Sequence, residues 1–511
     1  MSSPADRSFG GRTLDAIERV GNRLPDPSVL FVLAAVVTAS ASALLDGHRF
    51  TVPSLAGPRE LTIHSQLSPA AVASLLSDLV DIFTGFRPLG VVLVALLGVG
   101  VAEGSGLIRA LLRLALSRTS KRWLTPLVLT AGLLSHSAAD AGYVVVIPLA
   151  AVLFRAAGRH PMAGLAAGFA GVGGGFSANP FPSALDPLLQ GLSQEAAQLL
   201  DPDRLVNPLC NWAFTASSCV VIVLVGWWIT DRVVEPRLGT FEASSSDEEE
   251  SLPGQLQPRE LRGLGFAGGI GLALALGLVL WSLPADSALR SADGGLTSFT
   301  APLMQSIVSF IFIGFLAPGL VYGFVAGTFT GHRDVIGAMT RAMESMGSYL
   351  VMAFFAAIFI EIFSRSGLGA LTAVEGADFL QRLGLPDAAT LVGLVVVCAL
   401  ANLLIGSASA KWALLAPVLV PMFMRLGLAP ELVQAAYRIG DSASNVVTPL
   451  NPYFPLVLAF AARHAGVRGI GSIIATMAPY ALAFLVAWVG LLGLFWSFEI
   501  PLGLQGHYTY P

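Results

Sequence analysis

The side chains able to do chemistry in this sequence are charged or titratable groups set in or beside apolar runs: Glu103, Asp140, Asp186, Glu361 and Asp441, with Lys411, Arg438 and His136. A charge at the centre of a bilayer costs roughly 2.5–3.5 kcal/mol on insertion scales, so each must face a cavity or a partner. Arg438 and Asp441 are three residues apart and share a helical face. They read as a substrate-gripping arginine beside a proton- or ion-binding carboxylate, against the plainer reading of a self-neutralising ion pair. Their place just before Ser-Ala-Ser-Asn at 442–445 favours function. Trp412 follows Lys411 and offers an aromatic face for a planar ligand, or an interfacial anchor. Glu361 and Arg365 read as a pair near a span end, Glu103 as a group reaching to interfacial water, and His136 as a hydrogen-bonded structural histidine. GVGGGF at 171–176 lacks the strand, helix context and lysine of a phosphate-binding loop, and no HExxH or GxSxG motif sits where it would matter. ATP-driven transport and intramembrane hydrolysis therefore lose their support, and the chain reads as no enzyme.

These groups are positioned by a chain made for lipid. Of 511 residues, 54% are hydrophobic and 12% charged, against about 25% charged in soluble domains. The net charge of −4 gives no reason to expect nucleic acid. Cys210, Cys219 and Cys398 lie in apolar runs and form no CxxC or disulfide pattern. Apolar segments fall near 28–45, 86–103, 124–134, 141–155, 162–179, 209–230, 264–283, 303–327, 347–363, 389–405, 412–425, 444–463 and 472–497. About nine are clean spans; the rest are too short or too interrupted to cross alone and read as re-entrant hairpins or broken helices. The polar N-terminus is not a secretory signal, and 12–24 forms an amphipathic cap on the first span. Arginines before the first span and after the second place both cytoplasmic, as do Arg333 and Arg341 for 331–344. Residues 46–80 and 283–299 are then outside. The organisation expected is 1–27 cytoplasmic, 28–231 a first membrane half with one hairpin, 232–262 an acidic cytoplasmic linker holding SSSDEEES, 263–498 a second half with its hairpin, and 499–511 a tail.

The halves repeat one another. SHSAAD at 135–140 matches SASAKW at 407–412, each followed by an aliphatic run with proline, a short basic turn, another proline and an Ala-rich helix. The copies close with GFSANPFPSALDP (175–187) and DSASNVVTPLNP (441–452). Asp186 stands before Pro187 where the second copy has Asn451, and Asp140 and Lys411 fall at adjacent aligned positions. Lipid cannot bond a free N–H or C=O, so Gly, Pro, Ser and Asn clusters at membrane depth need protein, water or ligand as partner. Corresponding broken segments in two halves point to a transporter's binding site.

GRTLDAIERVGNRLPDPSVLF (11–31), SHSAADAGYVVVIPLAAVLF (135–154), SASAKWALLAPVLVPM (407–422) and AAYRIGDSASNVVTPLNPYFP (435–455) resemble the AbgT family, named for p-aminobenzoyl-glutamate transport. The resemblance covers about 11–500. It implies an all-α polytopic protein of the cell inner membrane, with about nine transmembrane helices and two re-entrant helical hairpins in an inverted repeat, assembled as a homodimer. It implies secondary transport of p-aminobenzoyl-glutamate or related folate-pathway aromatic compounds, with sulfonamide efflux among the family's activities, driven by H⁺ or Na⁺ and without a cofactor. The alternative is an ion exchanger or channel without an organic substrate. By resemblance the substrate positions are Asn402, Ser409, Trp412, Pro430 and Arg438, with Trp412 toward the ring and Arg438 toward an anion. Asp441 and Asp186 would couple the cation, and Ser177, Asn179, Ser442 and Asn445 resemble Na⁺-binding hairpin tips.

Overall fold

The computed structural model describes residues 26–52, 59–116, 121–136, 141–239, 256–344, 346–448, 450–451, 453–465 and 470–511. Asp140, the acidic run 244–251 and the segment 12–24 lie outside them. Among the described residues the one sheet is a hairpin, β1 (Arg49–Val52) antiparallel to β2 (Arg59–Thr62). All else regular is helix: α1 (Pro27–Leu44), α2 (Pro69–Thr84), α3 (Arg87–Gly104), α4 (Leu107–Leu116), α5 (Leu124–Ser135), α6 (Ala141–Ala156), α7 (Pro161–Phe169), α8 (Leu185–Gln198), α9 (Trp212–Ile229), α10 (Glu235–Leu238), α11 (Pro258–Ser282), α12 (Pro302–Gln305), α13 (Ile307–Ala326), α14 (His332–Glu344), α15 (Gly347–Ser366), α16 (Leu368–Arg382), α17 (Asp387–Asn402), α18 (Ala408–Arg425), α19 (Pro430–Ser444), α20 (Phe454–Ala465) and α21 (Ile470–Ser497).

Among the described residues, seven helical stretches are long and apolar enough to cross a bilayer: α1, the α2–α3 run, α9 continued through α10, α11, α13, α15 and α21. The distribution of polarity is the reverse of a soluble protein's. The apolar α11 leaves Leu272, Leu276 and Leu280 exposed, whereas every residue of the polar α19 is buried. Water would drive the first inward; hydrocarbon drives the second inward. The chain is therefore a multi-pass membrane protein whose buried centre holds its polar helices. α8 packs on α18 and α3, α17 packs on α19, and α19 packs on α21.

The elements differ from expectation where hydropathy is weakest. The segment 46–80, expected to lie outside the membrane, contains the β-hairpin and most of α2, whose apolar residues are interrupted by Asp78, Asp81 and serines. The apolar stretch 444–463 is not one helix: α19 ends at Ser444 and α20 begins at Phe454. Stretch 162–179 likewise ends in a π turn at Ala170–Gly174. Runs of Ser, Asn and Pro break both helices although their neighbours are apolar.

Candidate functional site

Two helix pairs build the centre, and they are built alike. α6 carries Pro148 inside it; α18 carries Pro417 and Pro421. After a short turn α7 opens on Pro161 and α19 on Pro430, where a missing N–H costs nothing. His160 Nδ1 accepts from Met162 N at 3.1 Å and so caps α7. The four helices hold 16, 9, 18 and 15 residues. α6, α7 and α19 rise only about 24, 14 and 23 Å, short of the roughly 30 Å of hydrocarbon, and α18 is interrupted by its two prolines.

The two turns sit at opposite ends of α9. Arg159, in the turn after α6, bonds Asp231 (2.5 Å), Glu235 and Thr125 (2.8 Å) at the end where α9 passes into α10. The turn before α19 is held by the C-terminal tail, with Ala429 N donating to Tyr508 O (3.0 Å) and Tyr510 N to Gly427 O (2.8 Å). That tail bonds the start of α9: Leu504 N donates to Leu209 O at 3.0 Å, and Phe214 N to Leu502 O at 2.8 Å. Eighteen residues of α9 separate the two ends, about 27 Å.

From these ends the pairs converge. Ser177 N, just past the first break, donates to Ser442 Oγ at 3.0 Å. Arg438 Nη2 donates to Asp186 Oδ1 at 2.8 Å, both side chains buried. Asp186 Oδ2 also accepts from Ser183 N at 2.8 Å. The second carboxylate is held otherwise than its spacing suggests. Asp441 pairs with Lys411 Nζ at 2.5 Å and not with Arg438, so each arginine or lysine takes a carboxylate from another helix. Lys411 also donates to Asn402 Oδ1, while Asn402 Nδ2 donates to Asp441 O, Ser444 Oγ and Asn445 Oδ1, each at 2.9 Å. One asparagine thus fixes the broken end of α19. Arg438 Nε and Nη1 are buried and have no partner among the described residues; Ser177 Oγ and Asn179 Oδ1 are in the same state.

Trp412 is 0% exposed and stacks on Tyr437 at 4.4 Å between centroids. Its Nε1 donates to Ser193 Oγ at 2.9 Å, and Tyr437 OH to Ala408 O at 2.5 Å. Pro430 is buried at the turn end of α19, a full helix length from Ser444.

Beside this centre lies a cavity of 460 Å³. Of the residues singled out above, His136, Ser409, Asn445 and Asn451 line it; Trp412, Arg438, Asp441, Asp186, Asn402 and Pro430 do not. Tyr143 and Tyr453, stacked at 4.3 Å, with Phe176 and Tyr349 make it aromatic, and Ser407, Asn445 and Asn451 make it locally polar. No Lys or Arg lines it among the described residues. Gly406 is at its wall because a Cβ there would strike the carbonyl oxygen of Leu450. His136 Nε2 lies 3.4 Å from Gly171 O and edge-on to Phe176. Glu361 and Arg365 pair at 2.5 Å and extend to Asp78, away from the cavity. Sequence reasoning missed Tyr143, Tyr349 and Tyr453. Tyr143 stands inside the repeated motif, which was the available signal; Tyr349 opens an ordinary span and had none.

A chain of this kind, multi-pass and helical with a cavity where two broken helix pairs meet, has the architecture of membrane transport proteins. It belongs to the AbgT putative transporter family, whose model matches residues 12–510. The p-aminobenzoyl-glutamate transport protein of Escherichia coli K12 is 34% identical over 503 residues, covering 98% of each chain. Among solved structures, the Alcanivorax borkumensis YdaH transporter, described as having an unusual topology, is similar with a TM-score of 0.88 at 44% identity, covering 94% of this chain and all of that one. Neisseria gonorrhoeae MtrF, described with a class of antimetabolite efflux pumps, gives 0.90 at 43%, covering 97% and 100%.

Proposed function

We propose that this chain is a secondary active transporter of p-aminobenzoyl-glutamate or related folate-pathway aromatic compounds, sulfonamide antimetabolites included, driven by H⁺ or Na⁺ across the cell inner membrane. The observation that carries the reading is the meeting of the two broken helix pairs at Ser177–Ser442, with α19 tied to α8 by Arg438–Asp186, beside an aromatic-lined cavity of 460 Å³. An aromatic amine fits tyrosine and phenylalanine walls, with Ser407, Ser409, Asn445 and Asn451 for its polar groups. The two unpartnered nitrogens of Arg438 suit a carboxylate if the wall between opens. Trp412 then steadies α19 by stacking on Tyr437, Asn402 holds its broken end, and Pro430 opens it at the turn.

Asp186 and Asp441 are the groups whose neutralisation would release Arg438 and Lys411, so they are the coupling carboxylates. Ser177 Oγ and Asn179 Oδ1 are buried oxygens of the type Na⁺ takes, with Ser442 and Asn445 opposite. The short helix pairs, turned at opposite ends of α9, act as re-entrant hairpins of an inverted repeat, and the outward apolar helices supply a homodimer surface and lipid contact. Paired broken helices beside a mostly apolar cavity, without a continuous polar lining among the described residues, favour carrier over channel. Purified protein in proteoliposomes, given radiolabelled p-aminobenzoyl-glutamate or a sulfonamide under separately imposed Na⁺ and H⁺ gradients, should show saturable, counter-transportable flux. Ion flux alone would favour the exchanger.

A further inference from the structure

Two polar helix faces meet in the most buried part of the protein, and the cavity does not use them. On α8, Asp186, Gln190, Ser193 and Gln194 share a face; on α19, Glu431, Gln434 and Arg438 do. All seven are buried. The faces join at Arg438–Asp186 and at Ser193 Oγ, which donates to Gln434 Oε1 at 2.8 Å. At the tail end, Glu431 accepts from Arg204 at 2.9 and 3.0 Å, and Arg204 is part exposed. Between these ends the protein leaves donors unmatched: Gln194 Nε2, Gln434 Nε2, and Arg438 Nε and Nη1 have no partner among the described residues. An orphaned buried donor is costly, and water bonded to several polar groups is the usual remedy. Glu431 and Arg438 are seven residues apart, about 10 Å along α19, a length that three or four waters span.

We propose that α8 and α19 hold a file of ordered water from Glu431 to Asp186, and that this file conducts protons between the tail-side solution and the buried ion pair. The inference rests on the cation-driven reading above and names the cation. The carboxylate of Glu431 takes a proton from solution. Each water in the file accepts one proton and passes on another, and Asp186 ends protonated while Glu431 is again ionised. Arg438 thereby loses its counter-charge and turns to whatever anion is present. The charged groups facing the file are Arg204 at one end and Arg438 at the other. The Cys210 thiol, 4.0 Å from Gln434 Oε1, reports on its middle.

The test uses the full chain in lipid nanodiscs and proteoliposomes. X-ray hydroxyl-radical footprinting oxidises side chains beside bound water. Cys210 should oxidise at least tenfold faster than the equally buried Met477. Gln434→Leu should cut that rate about fivefold and slow proton-driven uptake at least tenfold. It should leave exchange of labelled for unlabelled p-aminobenzoyl-glutamate at equal pH within twofold. Glu431→Gln, which fills no space, should slow proton-driven uptake likewise. Cys210 as silent as Met477, or native proton flux in both variants, overturns the proposal. Accumulation driven by Na⁺ with no proton movement also overturns it and leaves the transporter reading standing. Absence of any aromatic flux overturns that reading instead, while the Cys210 rate still decides whether the seam is wet.

Discussion

Asp186→Asn removes a charge and almost no volume, so it isolates what the Arg438–Asp186 pair does. In the variant, Arg438 is 1% exposed with no counter-charge, and its other two nitrogens are already unpartnered. Removing one member of a buried pair costs about 3–5 kcal/mol, whereas replacing both by neutral groups is near neutral. The amide oxygen introduced by the substitution can still accept from Ser183 N, so the loss falls chiefly on Arg438. Arg438→Met alone leaves Asp186 with its serine bonds and should cost the same or somewhat less. The double variant should cost no more than either single, giving an interaction energy of at least about 3 kcal/mol, or roughly a hundredfold in the folding equilibrium. Unfolding of the four purified proteins by SDS in mixed micelles reads this cycle. Single variants costing under about 1 kcal/mol, or costs that simply add, would refute the claim that this pair clamps α19 to α8.

Other outcomes follow from particular contacts. Asp441→Asn should abolish gradient-driven accumulation while the protein still inserts and purifies, as judged by uptake against size-exclusion profile. Trp412→Phe keeps the stack on Tyr437 but loses the bond to Ser193, and should lower stability by about 1 kcal/mol in the same SDS titration. Gly406→Ala drives a methyl into the Leu450 carbonyl and should raise the KM for any aromatic substrate at least tenfold by deforming the cavity wall. The Asp334 carboxylate, in the first turn of α14, is held below its ordinary value chiefly by the backbone N–H of Thr330 and then by its hydroxyl. A lowered value means its contribution is complete above the ordinary carboxylate range and is lost as pH falls through the lowered one. Asp334→Asn should therefore speed trypsin cleavage at Arg333 at pH 8.

The features legible in the sequence were those with a period or a repeat. The apolar spans, the paired breaks and the charged residues at them, Asp186, Lys411, Arg438 and Asp441, were readable, because lipid punishes stray polarity and leaves it only where something answers it; Asn402 came only from the family resemblance. Partner choice was not readable. Arg438 and Asp441 share a face of α19, yet three-residue spacing says nothing about Asp186 and Lys411, which approach from other helices and meet those charges first. The cavity was harder still. Its aromatic wall draws Tyr143, Phe176, Tyr349 and Tyr453 from four segments, and only packing brings them together. The amphipathic α14 escaped because it mixes charged and apolar residues at a density that a span search discards.

The central claim, that the space between the two broken helix pairs receives an aromatic substrate, is tested most directly by ligand protection. Ser409→Cys and Asn451→Cys, each in a chain with Cys210, Cys219 and Cys398 changed to serine, place a thiol at the cavity; Leu276→Cys places one on the outward face of α11. Labelling by a small methanethiosulfonate in native membranes should be slowed at least fivefold at both cavity positions by saturating p-aminobenzoyl-glutamate or a sulfonamide, and left unchanged at Leu276→Cys. Equal labelling with and without both compounds at Ser409→Cys and Asn451→Cys, in protein that still transports, would place the substrate elsewhere.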